Sequence, residues 1–273
     1  MNALTSPPLD TTAQIIHALS FTDYLRLPYI SAHGLMRIER SPAHYRASRE
    51  QPHAPTPAQA LGTLAHLMIL EPERVVTEMV VAPDCDRRTK AGKADWEAFQ
   101  SESAGKLVVA KDQLALTLAM RESVMAQPYA RALLAAGFAE TTVIAELEGV
   151  TVKGRPDWLP HDLPVIVDLK TAVDASPKGF ARAAANFAYH LQAALYTDLI
   201  HAMTGQRCEF VFLVVENEPP HGVALYQLDA DAIERGRVRY QQALETYQHC
   251  LDTDDWPGYA TEIQALELPR WAA

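Results

Sequence analysis

Lys153-Gly154-Arg155-Pro156-Asp157 is followed, after ten intervening residues, by Asp168-Leu169-Lys170. The run Val165-Ile166-Val167 leading into Asp168 is apolar and β-branched, the texture of a buried strand. Side chains alternate along a strand, so Asp168 and Lys170 share one face while Leu169 turns to the other. An acid at the end of such a run costs free energy unless it is paired or binds a metal. Hard oxygen donors suit Mg²⁺, which takes one or two carboxylates together with substrate phosphate. Asp157 and Asp168 are therefore read as metal ligands. Lys170 is read as the group that positions or deprotonates an attacking water and stabilises charge developing on phosphorus. The same Asp-x-Lys spacing also arises as an ordinary ion pair at a strand end, with Arg155 making a second exposed pair, so the surroundings of the motif must decide.

Those surroundings are β-rich. Thr141 to Leu147 and Val150 to Leu159 read as a hairpin turning at Glu148-Gly149, and Pro164 to Lys170 as a third strand. A long helical pattern runs from about Pro177 to Met203 and closes at Gly205. Strands at Cys208 to Val215 and Gly222 to Leu228 follow, and Asp229 caps a last helix through about Leu251.

Upstream, the texture is helical. Ser31 caps a short helix through Glu39, Ser41-Pro42 restarts another, and Pro52 to Pro57 reads as a loop. Ala58 to Leu70 is apolar on more than one side, as in a largely buried helix that ends at Glu71-Pro72; Gly62 would let it pack closely. Lys111 to Gln127 and Tyr129 to about Ala136 are two further helices, the second capped by Gly137. Residues 83–95 gather Arg87, Arg88, Lys90 and Lys93 around Gly92, a basic, flexible stretch that is either a solvated loop or a phosphate contact. The expected organisation is a loose N-terminal arm over 1–28 and a single domain over 29–273. Within that domain, 29–138 is a helical region, 139–251 the β-rich core and 252–273 a C-terminal tail.

With 273 residues and 48% hydrophobic residues, the chain can bury a sizeable core. No signal-peptide pattern opens the sequence and no apolar run approaches the roughly 20 residues of a membrane span, so a soluble cytoplasmic protein is expected. The net charge of −10 argues against a protein that coats DNA non-specifically, but not against an enzyme with a local acidic centre. Cys85, Cys208 and Cys250 lack paired spacing and fall short of the four thiolates of an iron–sulfur cluster, which is therefore not expected. No Gly-x-x-x-x-Gly-Lys-[Ser/Thr] helicase motif is present, so any unwinding of a duplex would be passive or supplied by another chain.

The two-part motif Pro156-Asp157 and Asp168-Leu169-Lys170 resembles the PD-(D/E)XK nuclease superfamily, and more narrowly the phage-type exonuclease VIII, or RecE-like, nucleases. The resemblance spans roughly residues 29 to 250. It includes Ser41-Pro42-Ala43-His44-Tyr45, Gly62-Thr63-Leu64-Ala65-His66 with Leu70-Glu71-Pro72, and Tyr189-His190-Leu191-Gln192 with Tyr196.

This resemblance implies an α+β, restriction-endonuclease-like core, a mixed central sheet flanked by helices in an α-β-β-β-α-β order, with the N-terminal helical region packed over it. It implies that His66 and the Leu169 carbonyl join Asp157 and Asp168 at the metal, and that Gln192 belongs to the catalytic set. Gln192 and Tyr196 lie four residues apart on one helix face, where they support Lys170 or contact the DNA backbone. Glu140 matches an additional acid that precedes the core, with Glu146 as its competitor, and Arg155 joins Arg87, Arg88, Lys90 and Lys93 as a DNA-contact candidate. The implied activity is Mg²⁺-dependent (Mn²⁺ substituting), ATP-independent 5′-to-3′ digestion of double-stranded DNA ends. Its single-stranded product would pass to an annealing recombinase, and the enzyme would be a ring-shaped homo-oligomer. The rival expectations are a structure-specific or Cas4-like nuclease, against which the cysteine count weighs, and a catalytically silent DNA-binding or interaction module.

Overall fold

A computed structural model describes residues 13–50 and 56–267. From the N-terminus the chain forms β1 (Gln14–Ile16), α1 (Phe21–Arg26), α2 (Ala32–Arg40), α3 (Pro42–Glu50) and α4 (Pro57–Leu70). A 3-10 turn at Pro72–Arg74 leads to α5 (Val75–Glu78), β2 (Met79–Val81), α6 (Lys90–Glu102), β3 (Leu107–Val109), α7 (Lys111–Ala126) and α8 (Pro128–Leu133). The second half runs β4 (Gly137–Ala139), β5 (Thr142–Leu147), β6 (Val150–Gly154), β7 (Trp158–Pro160), β8 (Val165–Ala172), α9 (Pro177–Asn186) and α10 (Tyr189–Thr204). It closes with β9 (Glu209–Glu216), β10 (Val223–Gln227) and α11 (Ala230–Thr253).

The central sheet has the order β10-β9-β8-β7-β4 and is mixed: β8 and β9 run parallel, joined through α9 and α10, and the other neighbours are antiparallel. Strand alternation sends Ile166, Phe210, Phe212 and Val214 into a core shared with α10 and α11. Val167, Leu169, Leu213 and Val215 enter a second core against α4 and α7. A three-stranded antiparallel sheet, β1-β5-β6, also packs against α10. This mixed, helix-flanked architecture is the restriction-endonuclease-like arrangement expected from the motif.

Local differences from the expected elements have physical causes. The expected continuous strand Val150 to Leu159 breaks at Arg155-Pro156-Asp157, so that β6 belongs to the smaller sheet and β7 to the central one. Pro156 has no N–H to give a ladder, and the break delivers Asp157 to the junction of the two sheets. The expected single helix from 177 to 203 is also two helices: Ala188, buried in the core, adopts φ 52°, a left-handed conformation that ends one helix and starts the next. No glycine or proline signals it, because packing rather than local preference imposes it.

Gly137 opens β4 rather than capping a helix; a Cβ there would lie 2.6 Å from the Leu159 carbonyl oxygen across the strand pair. The arm expected over 1–28 is built into the fold in its described part. β1 pairs with β5, and the buried Lys153 ammonium donates to the carbonyls of Tyr24 and Leu27 at 2.8 Å each, tying down α1. Residues 1–12, most of the loop expected over Pro52 to Pro57, and 268–273 at the end of the tail lie outside the described residues.

Gly62 is not the glycine that close packing requires, since a Cβ there would meet only Thr171 Oγ1 at 3.9 Å. Gly236 is. A Cβ at that position of α11 would lie 2.0 Å from the His190 carbonyl oxygen on α10. Backbone cannot yield as a side chain can, so Gly236→Ala is expected to cost about 3 kcal/mol by forcing the two helices apart. Urea unfolding should show a lower midpoint; an unchanged midpoint would refute the close packing of α10 on α11.

Candidate active site

On β8, Asp168 and Lys170 point toward α10, and Leu169 points into the opposite core, as period-two alternation requires. Asp168 is fully buried. One of its oxygens accepts from Gln192 Nε2 at 3.0 Å and the other pairs with the Lys170 ammonium. Lys170 also donates to Gln192 Oε1 at 3.2 Å, closing a triangle of carboxylate, ammonium and amide, and its Nζ lies 4.8 Å from the centre of the Tyr189 ring. The left-handed turn at Ala188 starts α10 so that Tyr189 and Gln192 both reach Lys170.

A second group of side chains meets the same strand from the sheet junction. Asp157 Oδ2 accepts from the Leu169 backbone N–H at 2.7 Å. His66, carried by α4, lies with Nε2 3.0 Å from the Leu169 carbonyl oxygen and 3.7 Å from Asp157 Oδ2, and with Nδ1 3.2 Å from Glu140 Oε1. His66, Glu140 and Asp157 thus offer ligand atoms within 4.8 Å of one another. Leu169 takes part through its backbone alone, which frees its side chain for the core.

The electrostatics are those of crowded acids held by cations. Burial first, and then the Asp168 charge, push the Asp157 carboxyl upward, against the pull of His66 and Lys170. Burial would lower His66, but the Asp157 and Glu140 carboxylates overcome it and raise the imidazole pKa to about 9. Burial likewise opposes the charge on Lys170, and Asp168 and Asp157 raise its pKa in spite of it. The donor set fits a hard divalent cation: carboxylate oxygens, a backbone carbonyl and one imidazole close together.

The sequence profile described as a PDDEXK-like domain of unknown function (DUF3799) matches residues 31–269. The chain belongs to that family. No curated protein matches it. Among solved structures, a protein from Eubacterium rectale assigned as an exonuclease is similar at a TM-score of 0.64 and 12% identity, over 92% of this chain and 95% of that one. At that identity the likeness speaks for the fold. A phage-related exonuclease from Haemophilus somnus 129PT overlaps over 83% of this chain and 96% of its own, at 14% identity and a TM-score of 0.37.

Not every expected site residue of this PDDEXK-like protein falls where the sequence suggested. Arg155 is only 8% exposed, and its guanidinium donates to Glu140 Oε2 at 2.7 Å, the Leu19 carbonyl at 3.0 Å and Thr142 Oγ1 at 3.2 Å. It faces inward, with its guanidinium paired within the protein and not presented on the surface. Tyr196 is buried as well, and its ring lies against Gly154, away from an exposed DNA-contacting surface. Glu146, the competitor of Glu140, is exposed on β5.

The basic stretch is not a flexible loop throughout. Thr89 caps α6, which carries Lys90 and Lys93, while Arg87 lies over the Trp96 ring and Arg88 pairs with Asp86; all four basic residues are exposed. The sequence reading missed Tyr189 as a neighbour of Lys170, although it lies in the quoted helix motif. Among the described residues no helix is long and apolar enough to cross a membrane.

Proposed function

We propose that this chain is a Mg²⁺-dependent DNA nuclease, with Mn²⁺ able to substitute. The observation that carries the reading is the convergence of Asp157, Asp168, Lys170, His66 and the Leu169 carbonyl on one stretch of β8. Asp157, Asp168, the Leu169 carbonyl and His66 would hold the ion. A bound divalent cation supplies a more acidic water and neutralises charge on a phosphate. Lys170 orients the attacking water and stabilises the negative charge that builds on phosphorus, and Gln192 keeps its ammonium aimed while touching Asp168. Exposed Arg87, Arg88, Lys90 and Lys93 supply a phosphate-contacting surface in an otherwise acidic chain.

The resemblance noted in the sequence supports the finer reading: ATP-independent 5′-to-3′ digestion of double-stranded DNA ends by a ring-shaped homo-oligomer that feeds single strands to an annealing recombinase. Duplexes labelled at either end test it. Nucleotides should be released with Mg²⁺ or Mn²⁺, not in EDTA, without ATP, and from the 5′ label first. Release from the 3′ label first overturns the polarity alone, cleavage confined to branched or flapped DNA favours a structure-specific nuclease, and no release with either metal overturns the nuclease.

A further inference from the structure

We infer that Glu140 acts on a bound cation through His66, by fixing the direction and tautomer of the imidazole, and that Arg155 fixes Glu140 in turn. The inference rests on the nuclease reading and deepens it, turning an acid that would be counted as one more ligand into a positioning residue.

Both oxygens of Glu140 are engaged by protein groups. Oε1 faces His66 Nδ1 at 3.2 Å, and Oε2 accepts from Arg155 Nε at 2.7 Å. Arg155 cannot swing away with it, because its Nη1 is held by the Leu19 carbonyl and by Thr142 Oγ1. The main chain of Glu140 is fixed too. Its N–H donates to the Asp157 carbonyl at 2.9 Å, and its φ of 47° is a left-handed conformation that a non-glycine residue keeps only where the surroundings impose it. Side chain and backbone therefore hold this carboxylate against the histidine.

The opposite edge of the imidazole faces the metal ligands: Nε2 looks at the Leu169 carbonyl and Asp157 Oδ2. A histidine whose Nδ1–H donates to a carboxylate presents Nε2 as the ligand atom once cation binding has released the Nε2 proton to solvent, with its ring orientation set and its basicity raised. Each Glu140 oxygen thus already meets a protein donor, His66 at one and Arg155 at the other.

The test is a double-mutant cycle on the full chain, reading Mn²⁺ affinity by calorimetry at pH 7.5. Glutamine cannot accept from both His66 and Arg155, so Glu140→Gln should weaken Mn²⁺ binding roughly 10- to 100-fold. In a His66→Ala background the same substitution should change affinity by less than about twofold, because the residue it acts through is gone. Pulsed electron paramagnetic resonance of bound Mn²⁺ should show nitrogen coupling in the wild type that fades in Glu140→Gln. Circular dichroism melts establish that each variant folds, and Glu140→Ala enters the same cycle should the glutamine variant fail to. An equal loss of affinity in both backgrounds makes Glu140 a direct ligand and overturns the inference alone, as does unchanged affinity in the wild-type background. Absence of Mn²⁺ binding by the wild type overturns the nuclease reading and this inference with it.

Discussion

Asp157→Asn should reduce Mg²⁺-dependent DNA cleavage by roughly 10³-fold while leaving the metal-free protein about as stable as the wild type. The loss of activity follows from removing a charged oxygen at the point where the cation would be held. The preserved stability follows from the environment of Asp157. Its Oδ2 accepts from the Leu169 N–H at 2.7 Å, a bond that an asparagine carbonyl also makes. Burial and Asp168 raise its pKa above the ordinary 3.8. A raised carboxyl binds protons more tightly in the folded than in the unfolded state, so it takes stability away as pH climbs from 3.8 through its folded value, and asparagine removes that penalty.

His66 has the same pH sense, but as a contribution to stability and not as a cost. Its pKa, raised to about 9 partly by Asp157, contributes stability that is present below its ordinary 6.5 and lost as pH rises through 9. The loss of this attraction and the relief of the buried carboxylate act in opposite senses, so the change in stability is expected to be small. Cleavage rates and urea midpoints in EDTA check both halves; a variant that cleaves normally, or one that no longer folds, would refute the assignment.

Lys170→Met should show the contrasting pattern, with cleavage falling roughly 10²- to 10³-fold and stability falling as well. Lys170 pairs with Asp168, which is fully buried, and Gln192 is left as its neutral partner when the ammonium is removed. Breaking a buried pair from one side costs about 3 kcal/mol, because the remaining charge has lost its compensation. A divalent cation can supply that compensation, so millimolar Mg²⁺ should restore a large part of the melting temperature lost in EDTA without restoring cleavage. Equal melting of variant and wild type in EDTA would mean that Lys170 does not neutralise Asp168.

The placement of Asp168 and Lys170 is legible in the sequence because it rests on short-range rules. Period-two alternation puts Asp168 and Lys170 on one face, and a buried acid after Val165-Ile166-Val167 asks for a partner. What the sequence did not disclose depends on how distant segments meet. The orientation of Arg155 is decided by Leu19, Thr142 and Glu140, three positions spread over the chain, so an arginine beside the motif read as a DNA contact although it faces inward. The break at Ala188 has no local signal, since alanine favours the helix it interrupts. The strand at Gln14–Ile16 is too short to show a period, and only its pairing with β5 makes it visible.

Anomalous diffraction from crystals soaked in Mn²⁺ tests the central claim most directly. The metal should appear in contact with Asp157, Asp168 and the Leu169 carbonyl, with the Lys170 ammonium beside it and His66 Nε2 turned toward it. Manganese bound elsewhere with this cluster unaltered would contradict the account, as would crystals that take up none.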